Sequence, residues 1–70
     1  MGRMPKPGDL YTMVVYGCRS FLVITSAEGT MDNPRLSVAV FDFNRLWHGI
    51  ADNVWSRSFV AGKLSWERVT

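Results

Sequence analysis

Apolar and polar residues alternate with a period of two through most of this chain, and no stretch sustains the spacing of an amphipathic helix. Leu10 to Tyr16 sets Leu10, Thr12, Val14 and Tyr16 against Tyr11, Met13 and Val15. Ser20 to Ser26 carries the apolar run Phe21-Leu22-Val23-Ile24. Leu36 to Phe43 sets Leu36, Val38 and Val40 against Ser37, Ala39, Phe41 and Phe43. Val54 to Val60 sets Trp55, Arg57 and Phe59 against Val54, Ser56 and Ser58, and Leu64 to Val69 closes the chain. These segments are rich in the β-branched and aromatic types that suit a pleated surface. Gly17-Cys18-Arg19, the stretch Ala27 to Pro34 and Ala61-Gly62-Lys63 supply the turn chemistry between them. From Asn44 to Asn53 the pattern lapses, and Arg45 to Ile50, broken by Gly49, is too short to predict a helix. Residues 1–8 hold two prolines and two glycines and predict a flexible or extended lead-in. The expectation is an all-β fold: about five antiparallel strands in a single β-barrel domain over residues 9–70. A small closed or half-closed barrel removes the sheet edges that an open sheet would expose. A twisted sheet completed by a second copy is the rival.

Length and charge exclude much. A chain of 70 residues makes one small domain, which hides only about 60% of the surface exposed by its unfolded form. The formal charge of +2 comes from Arg3 and Lys6 in the lead-in. From residue 7 onward Arg19, Arg35, Arg45, Arg57, Lys63 and Arg68 balance Asp9, Glu28, Asp32, Asp42, Asp52 and Glu67. Duplex binding needs a clustered basic surplus, and here the signs alternate. Cys18 is the one cysteine, so no intrachain disulfide forms, and a reducing compartment fits. Apolar runs such as Met13 to Tyr16, Phe21 to Ile24 and Val38 to Phe41 are far too short for a membrane span or a signal-peptide core. A cytoplasmic or virion-associated protein is expected, with no membrane partner.

Chemistry-bearing residues are sparse. One cysteine and one histidine cannot build a Cys/His metal site. A Cys18/His48 dyad oriented by Asp42 or Asp52 is the one nucleophilic arrangement available, and a turn cysteine with a loop histidine is the plainer reading. The carboxylates show no pairing that predicts a shared proton, and the glycines form no phosphate-cradling string. The expectation is a protein that is not an enzyme, with no cofactor and no metal.

Lys6-Pro7-Gly8-Asp9-Leu10, the strand Leu36-Ser37-Val38-Ala39-Val40-Phe41, the segment around Trp55 and the closing Trp66-Glu67-Arg68-Val69 resemble small SH3-like barrel proteins of tailed phages and marine bacteria. The resemblance implies an SH3-like barrel with a binding or structural role. It carries no catalytic residues across. The apolar-aromatic segment from Phe41 to Trp55 departs from the pattern.

Three Trp, four Phe and two Tyr are a heavy load for so short a chain, since each ring buries on the order of 150–250 Å² when enclosed. Val14, Phe21, Val23, Leu36, Val38, Val40, Leu64 and Trp66 nearly fill a small core by themselves. Part of the set Tyr11, Met13, Phe41, Phe43, Trp47, Ile50 and Trp55 is then left outside, and exposed apolar patches mark contacts between proteins. The predicted partner-binding residues are Phe43, Trp47, Ile50 and Trp55, with Arg45 and Arg57 as their polar rim. The predicted partner is a protein, either a second copy in a homo-oligomer or a subunit of a larger assembly such as a phage particle. The alternative is a single-stranded nucleic-acid-binding small barrel, with bases stacking beside Trp55, Arg57 and Phe59.

Overall fold

The computed structural model describes residues 3–42 and 45–69. Phe43 therefore lies outside the described residues. Lys6-Pro7-Gly8-Asp9 turns the chain into the sheet with proline and glycine at the central positions of a type II turn. The Asp9 amide donates to the Lys6 carbonyl at 3.0 Å, and the Asp9 carboxylate accepts from the Lys6 amide at 2.9 Å. The described part of the lead-in, residues 3–8, is docked on the sheet: Gly8 donates to the Ile24 carbonyl at 2.7 Å, Pro5 is buried and Met4 packs on the core.

Strand β1 (Leu10–Val15) pairs antiparallel with β2 (Cys18–Gly29) from Leu10↔Val23 to Val15↔Cys18. Tyr16 and Gly17, at φ 51° and 77°, form the two-residue turn, with both central residues left-handed as a type I′ hairpin requires. β2 then pairs with β3 (Pro34–Asp42) as far as Gly29↔Pro34. The loop expected over Ala27 to Pro34 thus shrinks to residues 30–33, because Leu36 and Ala27 face each other and keep the ladder going. A bulge between Ile24 and Ser26 resets the alternation of β2 within this pairing.

Two elements depart from the sequence reading. Arg45–Ile50, expected to be irregular, is strand β4, paired with β3 from Asp42↔Arg45 to Ser37↔Ile50. It lies at the sheet margin with both faces largely open to solvent, so burial imposes no alternation on its sequence. Residues 53–60, expected to be a strand, form helix α1 (Asn53–Val60). Asp52 caps its start in an extended conformation, and its carboxylate accepts from the Trp55 amide at 2.8 Å. Its end is a Schellman motif: Gly62 at φ 76° donates to the Phe59 carbonyl at 3.1 Å and Lys63 to the Ser58 carbonyl at 3.0 Å. The expected final strand contracts to β5 (Glu67–Arg68), which pairs with β1 through Tyr11↔Arg68 and Thr12↔Glu67.

The result is one five-stranded antiparallel sheet in the order β4-β3-β2-β1-β5. The chain is mostly β, as expected, with one short helix added. Among the described residues no ladder joins β4 to β5, so the sheet is open. Leu22, Ile24, Leu36 and Val38 share its inner face and meet Phe59 and Val60 of α1 in the core. The residues that α1 buries, Ser56, Phe59 and Val60, follow helical spacing. The predicted core has to be corrected at Val14, Phe21 and Val23, which point to the opposite face; Val14 and Phe21 are 55% and 38% exposed and Val23 is half-buried. In the run Phe21-Leu22-Val23-Ile24 both faces are apolar, so alternation alone does not choose between them. The register does: Leu22 lies opposite Val40 and Ile24 opposite Val38.

Candidate binding groove

Phe59 is the hinge pin of the helix-sheet contact. Its ring meets Tyr11 of β1 edge-on, centroids 4.8 Å apart at 74°, and lies parallel to Trp55 one helical turn earlier, at 4.9 Å and 15°. Offset and edge-on ring pairs of this kind contribute beyond their buried area. They hold the Trp55 indole over the inner face of the sheet, where it forms one wall of an apolar groove of about 390 Å³. Trp47 of β4 forms the opposite wall, Ile50 borders the lip from a register position on the outer face, Trp66 closes one side, and Leu22, Val38 and Val40 form the floor. All three tryptophans of the chain meet here. The Trp47 indole folds back along its own strand, close enough that a Cβ on Gly49 would come within 3.2 Å of the ring. Glycine at 49 therefore leaves room for the ring to lie flat along β4. Trp47 remains 53% exposed and Ile50 72%. A wide apolar concavity with a few polar groups at the lip is the usual form of a binding cleft.

Of the residues predicted to bind a partner, Trp47, Ile50 and Trp55 come together in this groove. Arg45 is an exposed residue at the start of β4, opposite Asp42. Arg57 is turned to the exposed side of α1, beside a separate polar depression shared with Asp32 and Lys63. The groove rim around Trp55 instead carries Asp52. Trp66, which the sequence reading placed in the core, is the member that reading missed. The stacking row expected of a single-stranded nucleic-acid binder is not formed: Trp55, Arg57 and Phe59 lie on a helix, Phe59 is buried and Arg57 faces away from the rings.

Cys18 and His48 lie on opposite faces of the sheet, since Cys18 shares the side of Leu22 while His48 sits opposite Ala39 on the other. The dyad weighed from the sequence is therefore not assembled. Among the described residues no group of three or more His, Cys, Asp or Glu side chains stands together. A larger depression of about 530 Å³ beside the groove is polar, and its Asn33 and Asn53 side chains bond each other at 2.9 Å. Burial pushes the Tyr11 phenol above its ordinary pKa, with the Asp9 charge adding to the rise and Arg3 opposing it. No described helix is long and apolar enough to cross a membrane. Compared with family models, with curated proteins and with solved structures, the chain matches none.

Proposed function

We propose that the protein is a non-catalytic binding module that receives an apolar side chain of a protein partner between Trp47, Trp55 and Trp66. One observation carries this reading: the whole tryptophan content of the chain converges on one apolar groove whose floor is finished core and whose lip is open. Tryptophan is enriched among the residues that dominate protein contacts. A helix held by its own ring stack supplies a rigid wall, so little ordering is needed when a partner arrives. The resemblance to small SH3-like barrel proteins of tailed phages and marine bacteria belongs to the same proposal, with a role in a larger, possibly phage, assembly. Five antiparallel strands, with β5 returned to β1, are compatible with it.

The test is a titration with N-acetyl-phenylalaninamide, followed by NMR at the three indole N–H signals. At about 0.3 kcal/mol per non-hydrogen atom, a probe of roughly fifteen such atoms reaches a Kd of about 1 mM. The expected result is saturable movement of all three indole signals, lost in Trp47→Ser. Movement confined to other residues, or movement unchanged in Trp47→Ser, would remove the proposal.

A further inference from the structure

Strand β4 is hydrogen-bonded to β3 on one side, and among the described residues nothing pairs with its other side. Proteins blunt such edges with lysine, proline or inward-pointing charge. β4 has neither lysine nor proline, and Arg45 is its one formally charged residue. Leu46, Trp47 and Ile50 on this edge strand are 58%, 53% and 72% exposed. We propose that β4 pairs antiparallel with β4 of a second copy of this chain, about a twofold axis through His48. The proposal stands on the sheet edge and not on what fills the groove.

The hydrogen-bond pattern selects this register. Ala51 donates to the Leu36 carbonyl at 2.9 Å, continuing the ladder in which Gly49 faces Val38 and Trp47 faces Val40. In an antiparallel strand, residues alternate between bonding one neighbour and the other. The odd-numbered residues of β4 therefore bond β3, and Leu46, His48 and Ile50 turn their backbone groups to the free edge. Centring the twofold on His48 opposes His48 to the partner's His48 and Leu46 to the partner's Ile50, so all three outward residues are satisfied. Centring it on Trp47 opposes Leu46 to the partner's His48 and carries Ile50 past the end of the partner's described β4.

Side chains favour the same choice. The two most exposed aliphatic side chains of β4, Leu46 and Ile50, cover each other across the junction on the outer face. Arg45 arrives beside the partner's Asp52, where the charges are opposite. On the inner face Trp47 comes opposite the partner's Gly49, along which the partner's own Trp47 ring lies, so the two indoles meet across the junction. The two tryptophan grooves then open on the same side of one continuous sheet.

The experiment uses the full chain with Cys18→Ser as background and places single cysteines along β4. Opposed Cα atoms of a hydrogen-bonded pair stand about 5.5 Å apart, within disulfide reach. His48→Cys should cross-link to a dimer under mild oxidation, whereas Trp47→Cys and Leu46→Cys should not. Sedimentation should show the unmodified chain as a dimer, and His48→Pro should make it a monomer with unchanged circular dichroism, because the lost N–H points away from β3. A monomeric parent chain, cross-linking at Trp47→Cys in place of His48→Cys, or a dimer that survives in folded His48→Pro would each overturn the proposal. If His48→Pro fails to fold, the cysteine pattern decides alone. Groove binding by N-acetyl-phenylalaninamide, measured on the His48→Pro monomer, reads the earlier proposal separately.

Discussion

Tyr16 sits at φ 51° in the β1-β2 turn with its side chain 99% exposed. Left-handed backbone costs a residue with a Cβ about 1–2 kcal/mol, less for asparagine, whose side chain bonds locally. The turn wants Asn-Gly, and the chain offers Tyr-Gly. Because the tyrosine touches so little, Tyr16→Asn should raise stability by about 1 kcal/mol, a rise in Tm of roughly 4–8 °C for a domain this small. A thermal melt with an unchanged or lower Tm would show that Tyr16 makes contacts worth more than its strain. At this scale the sequence was partly readable. Trp47, Ile50 and Trp55 could be selected because their rings exceed what a small core holds. Trp66 could not, because half-burial against a helix depends on that helix being recognised. Phe21 and Leu22 are neighbours of the same chemical kind, and only pairing with β3 assigns one to each face.

The helix and the strand before it, β4, depart from the sequence expectation for different reasons. Trp55-Arg57-Phe59 alternates like a strand, but Trp55 with Phe59 and Ser56 with Val60 are also spaced by one helical turn, and that spacing is the one the fold buries. A stretch of eight residues satisfies both periods, so the boundary signals decide. Asp52 just before the segment and Gly62 just after it are the N-cap and C′ residues of a helix, and Gly62 reads equally as a hairpin turn when the segment is taken for a strand. If the caps hold α1 in place, Asp52→Ala should cost about 1 kcal/mol through the lost bond to the Trp55 amide. Gly62→Ala should cost a similar amount, about 1 kcal/mol, by forcing a Cβ into left-handed backbone. Both losses should appear in urea midpoints with the slope unchanged. Equal midpoints for either variant would mean that the termini of α1 are fixed by packing alone. β4 had no such signal, because an edge strand exposed on both faces has no reason to alternate.

For the molecule as a whole, β2 and β3 were legible because each buries one face and leaves the other more open, β1 because its β-branched and aromatic residues run into a glycine turn, and the loss of such contrast at β4 and α1 hid the layout of the groove. The core that results is small: Leu22, Ile24, Leu36 and Val38 under Phe59 and Val60. Phe59 binds the layers together, since it touches Tyr11 on the sheet and orients Trp55 on the helix. Deleting a buried ring of this kind costs about 3–5 kcal/mol, and a single core in a chain below about 70–80 residues rarely supplies more than about 3–5 kcal/mol in all. Phe59→Ala should therefore abolish cooperative unfolding, with near-ultraviolet circular dichroism lost at 25 °C. Trp47→Ser, at an exposed wall of the same groove, should keep a cooperative melt close to that of the parent chain. Dimerisation through β4 adds a concentration term, because mass action raises the Tm of an associating chain as protein concentration rises. In that event Phe59→Ala would recover structure at high concentration while the combination with His48→Pro would not. A Phe59→Ala chain that melts like the parent at every concentration would show that the sheet folds without its helix, and the groove would then have no rigid wall.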